Sequence, residues 1–217
     1  MTGRVCGPLP AEAASAAARD LAFTIWTGNT HRHGAPPASI ARCLLDPSRR
    51  RAFANLQRLP ELWRCLADEG GAACRLRSCE VHIAGLPTPR AKDLPRLLKA
   101  ARSELQSLPW ACPERLGLGG LMHLLIHPLT DGNGRSARMT WACALLEHGF
   151  DLQQSERILR QWLASASPDL TTMVQIAAHG DPSVFFERWL ALLRHQQQAV
   201  SGQMSAPTPC GRMRESR

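Results

Sequence analysis

The side chains able to do chemistry are concentrated in twelve consecutive residues, 127–138, with His127, Asp131, Asn133, Arg135 and Arg138 spaced among Gly132 and Gly134. An imidazole is the side chain suited to taking a proton near neutral pH. A carboxylate is a hard oxygen ligand for a divalent cation. Glycines on either side of an asparagine permit the positive φ angles that turn successive backbone N–H groups inward and make an anion-binding nest. Two arginines at i, i+3 share one helix face. In the first turn of a helix each would oppose the macrodipole by roughly 0.3–1 kcal/mol. Paired guanidinium groups at such a place make sense with phosphates between them. A lone histidine at a helix end is ordinarily a cap, and Asp-Gly-Asn-Gly alone is ordinarily a surface turn. Together, within so short a span, they read as a phosphate cradle with a base beside it.

The elements that must position this loop are legible on both sides. An apolar run, 118–126, leads in, and a second, 139–146, leads out. Pro128 disfavours helical geometry for His127, so the first helix should end there with the imidazole at its tip. The loop then opens directly onto the second helix.

These residues resemble the signature of the Fic (Fic/Doc) family, H-x-F-x-[DE]-G-N-[GK]-R-x-x-R. Seven of its eight specified positions are met, and the departure is Leu129 in place of Phe. That side chain is a core anchor in the family, so the exchange bears on packing more than on chemistry. Glycine at 134, where Doc-type kinases carry lysine, is similar to the branch that transfers AMP from ATP to protein hydroxyls. The resemblance implies an all-α, Fic-like helical domain of about seven or eight helices with one short β-hairpin flap. It implies His127 as base, Asp131 as Mg²⁺ ligand, and Gly132, Asn133, Gly134, Arg135 and Arg138 as the nucleotide-binding set. The flap is implied at about 78–89, with Val81, His82 and Ile83 pairing with a target segment. ATP is the implied substrate, and the partner is a protein presenting a Ser, Thr or Tyr hydroxyl. Transfer of UMP, GMP or phosphocholine, Doc-like phosphorylation, or a non-catalytic nucleotide- or protein-binding module are the alternatives. Residues 23–28 are similar to the inhibitory helix of the self-restrained Fic subclass, [ST]-x-x-x-E-[GN], with Gly28 kept, Phe23 at the Ser/Thr position and Thr27 at the glutamate. The resemblance then implies a degenerate brake at Thr27; a separate antitoxin chain or self-association could still supply one.

The rest of the chain is consistent with one such domain. Its 217 residues are ample for a core. No apolar stretch reaches the length of a transmembrane helix and the N-terminus has no signal-peptide pattern, so a cytoplasmic protein without a membrane partner is expected, delivery into a host cell being the alternative. Eight cysteines without a C-x-x-C pair suggest reduced thiols. The net charge of +8 suits a nucleotide or an acidic partner, and no nucleic-acid recognition motif accompanies it. Residues 1–10 should be loose, 11–196 the catalytic domain, and 197–217 a disordered tail. Ala14, Ala18, Leu21 and Ile25 recur on one face of a helix from 11 to about 26. Helical patterning also covers 52–69, which Pro60 should kink or split. Arg49 to Arg51 reads as a solvated basic face. The alternating stretch 78–85 is the strand or hairpin candidate. A clean apolar stripe runs from Leu94 to Leu108, and Met173, Phe185, Phe186, Trp189 and Leu193 read as core. His123, four residues before His127, reads as a core or groove-facing histidine, since the Glu of a zinc H-E-x-x-H motif is missing.

Overall fold

Helix α7 (Asn133–Glu147) is buried around most of its circumference, with the helices at 11–27, 47–54, 113–126 and 152–166 laid against it. The computed structural model describes residues 11–27, 36–67, 75–83, 86–166 and 170–203. Among these there are ten α-helices: α1 (Ala11–Thr27), α2 (Ala38–Leu45), α3 (Pro47–Ala54), α4 (Leu59–Cys65), α5 (Leu94–Ser107), α6 (Pro113–Ile126), α7, α8 (Leu152–Ala166), α9 (Leu170–Ala178) and α10 (Ser183–Gln203). Two-residue strands β1 (His82–Ile83) and β2 (Leu86–Pro87) pair antiparallel, with His82 opposite Pro87 and Ile83 opposite Leu86. The architecture is all-α with one short hairpin, as expected. The helices outnumber the expected seven or eight because the first half is cut more finely than its periodicity suggests. Asp46 caps α3 by accepting from the N–H groups of Ser48 and Arg49. The 52–69 pattern is split upstream of Pro60, where Leu56 and Arg58 take positive φ, and Pro60 then sits harmlessly in the first turn of α4.

The basic run on α3 is not a simply solvated face. Arg50 and Arg51 each donate to Glu147 at the end of α7, at 3.3 and 3.2 Å, and Arg49 meets Glu61 at 3.1 Å. The last helix continues seven residues beyond Gln196, to Gln203, into the stretch expected to be tail. Residues 1–10, Gly28 and 204–217, also named in the sequence reading, lie outside the described residues. No helix among the described residues is long and apolar enough to cross a membrane.

The tightest packing lies where α6 meets α7. Trp141 of α7 is 1% exposed and donates its indole N–H to the Gly117 carbonyl of α6 at 2.9 Å. Trp141, Trp162, Phe185 and Trp189 form one aromatic cluster that joins α7, α8 and α10. Gly120 is what lets the indole lie on the α6 backbone, since a Cβ there would fall 2.1 Å from Trp141 Nε1. A fully enclosed indole has nowhere to retreat. Gly120→Ala should therefore destabilise the protein by about 3 kcal/mol, read from the urea midpoint. Gly134→Ala, whose Cβ would meet only the flexible end of Arg138, should cost far less.

Candidate active site

The loop between α6 and α7 begins with a residue in an unusual backbone state. His127 adopts φ 47° and ψ 59°, and its N–H donates to the His123 carbonyl at 3.0 Å. This is the left-handed helix stop that glycine ordinarily supplies, and it costs a histidine roughly 1–2 kcal/mol. Pro128 forbids the helical alternative. The helix thus ends at His127 as expected, although by a left-handed turn and not an extended one. Gly132 (φ 87°) supplies the second left-handed turn, and α7 starts at Asn133. Gly134 does not take positive φ; it is helical. Its smallness matters instead, because a Cβ would lie 3.2 Å from Arg138 Nη1. Arg135 is the third residue of α7 and Arg138 the sixth, so only the first of the pair lies in the first turn.

His127, Thr130, Asp131, Gly132, Asn133, Gly134, Arg135 and Arg138 line one cleft of about 230 Å³. Every motif residue expected to bind or react is there, but the side chains divide into two groups. Asn133 is 4% exposed, and both ends of its amide bond the Leu129 backbone: Oδ1 accepts from Leu129 N–H at 2.9 Å and Nδ2 donates to Leu129 O at 2.8 Å. Its side chain clamps the loop, and the N–H groups of the α7 first turn, without intrahelical acceptors, are further donors at this end. Leu129 itself is fully buried in the core. Asp131 Oδ1 accepts from Gly132 N–H at 2.7 Å, and Oδ2 pairs with Arg135 at 3.0 Å, with the Asp131 side chain 63% exposed.

Arg135 is 5% exposed; it donates to Leu66 O at 3.2 Å and lies over the Trp26 ring at 4.6 Å. Arg138 donates from Nε to the Ile25 carbonyl at 2.7 Å and from Nη2 to the Trp26 carbonyl at 3.5 Å. The C-terminal end of α1 therefore sits against Arg138, where the negative end of a helix attracts a cation. Thr27 lies in that last turn, its hydroxyl donating to the Phe23 carbonyl at 2.9 Å.

The residue that organises the other side of the cleft is one that the sequence reading did not single out. Arg77 is 3% exposed, and its guanidinium donates to four backbone carbonyls: His127 at 2.7 Å, Cys79 at 3.0 Å, Ile126 at 3.4 Å, and Pro89. Its own N–H donates to Pro128 O at 2.9 Å, and Leu76 bridges Leu129 in antiparallel register. One side chain thus ties the α6 terminus to both ends of the hairpin segment. An arginine in a stretch of mixed polarity carries no pattern that distinguishes it from a surface arginine. The hairpin itself closes with Thr88, whose N–H and hydroxyl both donate to the Val81 carbonyl, at 3.1 and 2.8 Å. Val81 is half-buried and His82 exposed; residues 84–85 at the tip lie outside the described residues.

Burial pushes the His127 imidazole below the ordinary histidine value; the Leu124 carbonyl opposes this and the Arg77 charge assists it. Its Nδ1 is enclosed by the protein, leaving Nε2 as the ring nitrogen on the cleft side. His123 is a core residue, fully buried with neither ring nitrogen paired, and burial, then the neighbouring His127, push it down to about 3. No cluster of three or more His, Cys, Asp or Glu suited to a metal ion occurs among the described residues.

No family model and no curated protein matches the sequence. Among solved structures, the chain is similar in fold to a Fic family protein from Desulfovibrio desulfuricans G20, with a TM-score of 0.55 and 20% identity over 90% of this chain and 65% of that one. The chain therefore spans less than two thirds of that protein's length. The likeness shows the fold: a Fic-like helical architecture.

Two outcomes follow from this geometry. Arg77→Met should leave four carbonyls without a donor and destabilise the protein by about 3 kcal/mol or more, with amide hydrogen exchange accelerating first across 78–89 and 126–130. His123 binds a proton when unfolded but not when folded, so stability should be greatest above pH 6.5 and fall as the pH drops through that value. The slope should approach about 1.4 kcal/mol per pH unit, measured by urea unfolding at pH 7 and pH 5.5, and His123→Met should flatten it.

Proposed function

We propose that this chain is a Fic-type protein adenylyltransferase, moving AMP from ATP to a hydroxyl side chain of a target protein and releasing pyrophosphate. The observation that carries this reading is the cleft itself, in which one imidazole at a strained helix end faces a carboxylate, two arginines and the start of a buried helix. A neutral imidazole at pH 7 is a base ready to accept a proton, and its depressed basicity favours that state.

The triphosphate would lie along the N-terminus of α7, with the backbone N–H groups of Asn133 and Gly134 and the guanidinium groups of Arg135 and Arg138 as its donors. Arg135 and Arg138 are already braced by protein carbonyls, so little rotamer freedom is lost when a phosphate arrives. The Asp131 carboxylate, largely exposed and at the cleft, fits a hard divalent cation completed by phosphate oxygens, and Mg²⁺ there would neutralise charge on the phosphates. A target segment would lie against the hairpin by main-chain pairing. Its hydroxyl would give a proton to His127 Nε2 as its oxygen attacks the α-phosphorus. The α–β bridging bond would break, pyrophosphate would leave, and AMP would remain on the target oxygen. Positioning and fixed charge would supply most of the rate, with roughly 10²–10⁴-fold from the base.

The cleft residues contact phosphates and none reads a base, so UTP, GTP and CDP-choline belong in the same experiment. Purified protein with Mg²⁺ and each α-labelled nucleotide should label itself or an added protein from ATP. His127→Ala should reduce labelling by at least 100-fold while leaving the unfolding midpoint in place. Labelling from UTP or GTP alone would change the transferred group. Undiminished labelling by the alanine variant would remove His127 as the base. A folded protein that binds ATP and labels nothing would favour a binding module.

A further inference from the structure

Away from the cleft, two sulfurs lie closer than ordinary van der Waals contact allows. Cys43 on α2 and Cys65, the last residue of α4, are separated by 22 residues in sequence, and their Sγ atoms are 2.9 Å apart. Both are free thiols, and the S–H of one points at the sulfur of the other. Arg49 completes the cluster, with Nη1 3.5 Å from Cys43 Sγ, and is itself held by Glu61 at 3.1 Å and Asp46 at 3.3 Å. The donated S–H of Cys65 and then the Arg49 charge lower the Cys43 thiol to about 7 against the opposing effect of burial, while the same hydrogen bond pushes Cys65 up. The Arg49 guanidinium beside Cys43 favours the thiolate on that sulfur, with Cys65 as the neighbouring thiol. Cys143, also buried, has no such arrangement, and burial pushes its thiol far upward.

A thiolate next to a thiol within bonding reach is the starting state for disulfide formation. We propose that Cys43 and Cys65 are a dithiol modification site, which a small hydroperoxide converts into a disulfide tying α2 to α4. The Cys43 thiolate attacks the distal peroxide oxygen; the S–O bond forms, the O–O bond breaks, and the leaving alkoxide or hydroxide takes a proton. Cys43 is then a sulfenic acid. Cys65 gives up its proton as its sulfur attacks the Cys43 sulfur; the S–S bond forms, the S–O bond breaks, and water leaves. In total the two thiols lose two protons and two electrons, and the peroxide gains both.

Access selects the oxidant. Cys43 is fully buried and Cys65 is 7% exposed, but the Arg49 side chain that touches the thiolate is 37% exposed. The enclosure of both sulfurs excludes glutathione disulfide and protein oxidants, so a small hydroperoxide is the oxidant class that fits. Oxidation would also reach the cleft mechanically. Leu66, the residue after Cys65, is the one whose carbonyl braces Arg135, so the new bond would fix the end of α4 on which that arginine leans.

The test uses the full wild-type chain and needs no substitution. The folded protein is treated with a stoichiometric amount of hydrogen peroxide, remaining thiols are alkylated, and the digest is mapped by mass spectrometry. A linked Cys43–Cys65 peptide, a loss of about 2 Da per chain, and reversal by dithiothreitol are expected. Closing a loop of this length should also raise Tm by roughly 5–10 °C. Cys43→Ser and Cys65→Ser, where they fold, should each abolish the linked peptide. Oxidation of the exposed Cys79 with both Cys43 and Cys65 still alkylated would overturn the proposal.

Discussion

A buried guanidinium that, among the described residues, is held by backbone carbonyls and no carboxylate is the constraint on which the cleft depends. A helix C-terminus leaves carbonyls without donors, and Pro128 removes one N–H that a continuing chain would have offered. The α6 end answers this with Arg77, a cation placed at the negative end of the helix, whose donors reach both Ile126 and His127. The same side chain reaches Cys79 and Pro89. A charge-assisted hydrogen bond contributes roughly 1.5–3 kcal/mol, and the planar fork of arginine can serve several carbonyls in one plane as an ammonium cannot. The strained turn at His127 and the base of the hairpin are thereby fixed with respect to each other.

The opposite wall of the cleft obeys a different rule. Arg135 and Arg138 belong to a helix whose N-terminal end disfavours positive charge. Both are retained there by negative partners from other elements: the carbonyls of Leu66, Ile25 and Trp26, the face of the Trp26 ring, and the Asp131 carboxylate. The arginines are thus structural ties and cleft walls at once. Asn133, by contrast, bonds Leu129 through both ends of its amide, which keeps the loop in shape. Cleft formation and core packing are coupled through Leu129, whose backbone is clamped while its side chain is buried.

Behind the cleft, the close approach of α6 and α7 sets where the loop between them can go. Trp141 lying on Gly120 is a packing solution with little tolerance, and the aromatic cluster around it carries that rigidity into α8 and α10. Thr24, reaching Glu156 at 2.9 Å, pins α1 to α8, so the α1 end that braces Arg138 is itself held from behind.

The sequence by itself determined the local features: the all-α class, the helix stop at His127, the left-handed turn at Gly132, the buried faces carrying Ala18, Leu21 and Ile25, and the gathering of the motif residues about one loop. These follow from periodicity of 3.6, from proline and glycine backbone limits, and from short-range spacing, all of which are written along the chain. Tertiary structure alone decided the rest. Gly134 is helical because α7 begins at Asn133, ahead of its second glycine, and the α3–α4 break falls at Leu56 and Arg58, residues whose positive φ no propensity anticipates. Arg77 acquires its role only because the α6 end and Pro89 bring their carbonyls to it, and Arg50 and Arg51 find an ion-pair partner only because Glu147 arrives from α7. Cys43 and Cys65, unremarked by spacing, meet because α2 and α4 pack together. Hydrogen bonds and ion pairs between remote residues depend on where the chain folds back, and that information is shared among all the packed faces and is not carried by any one stretch.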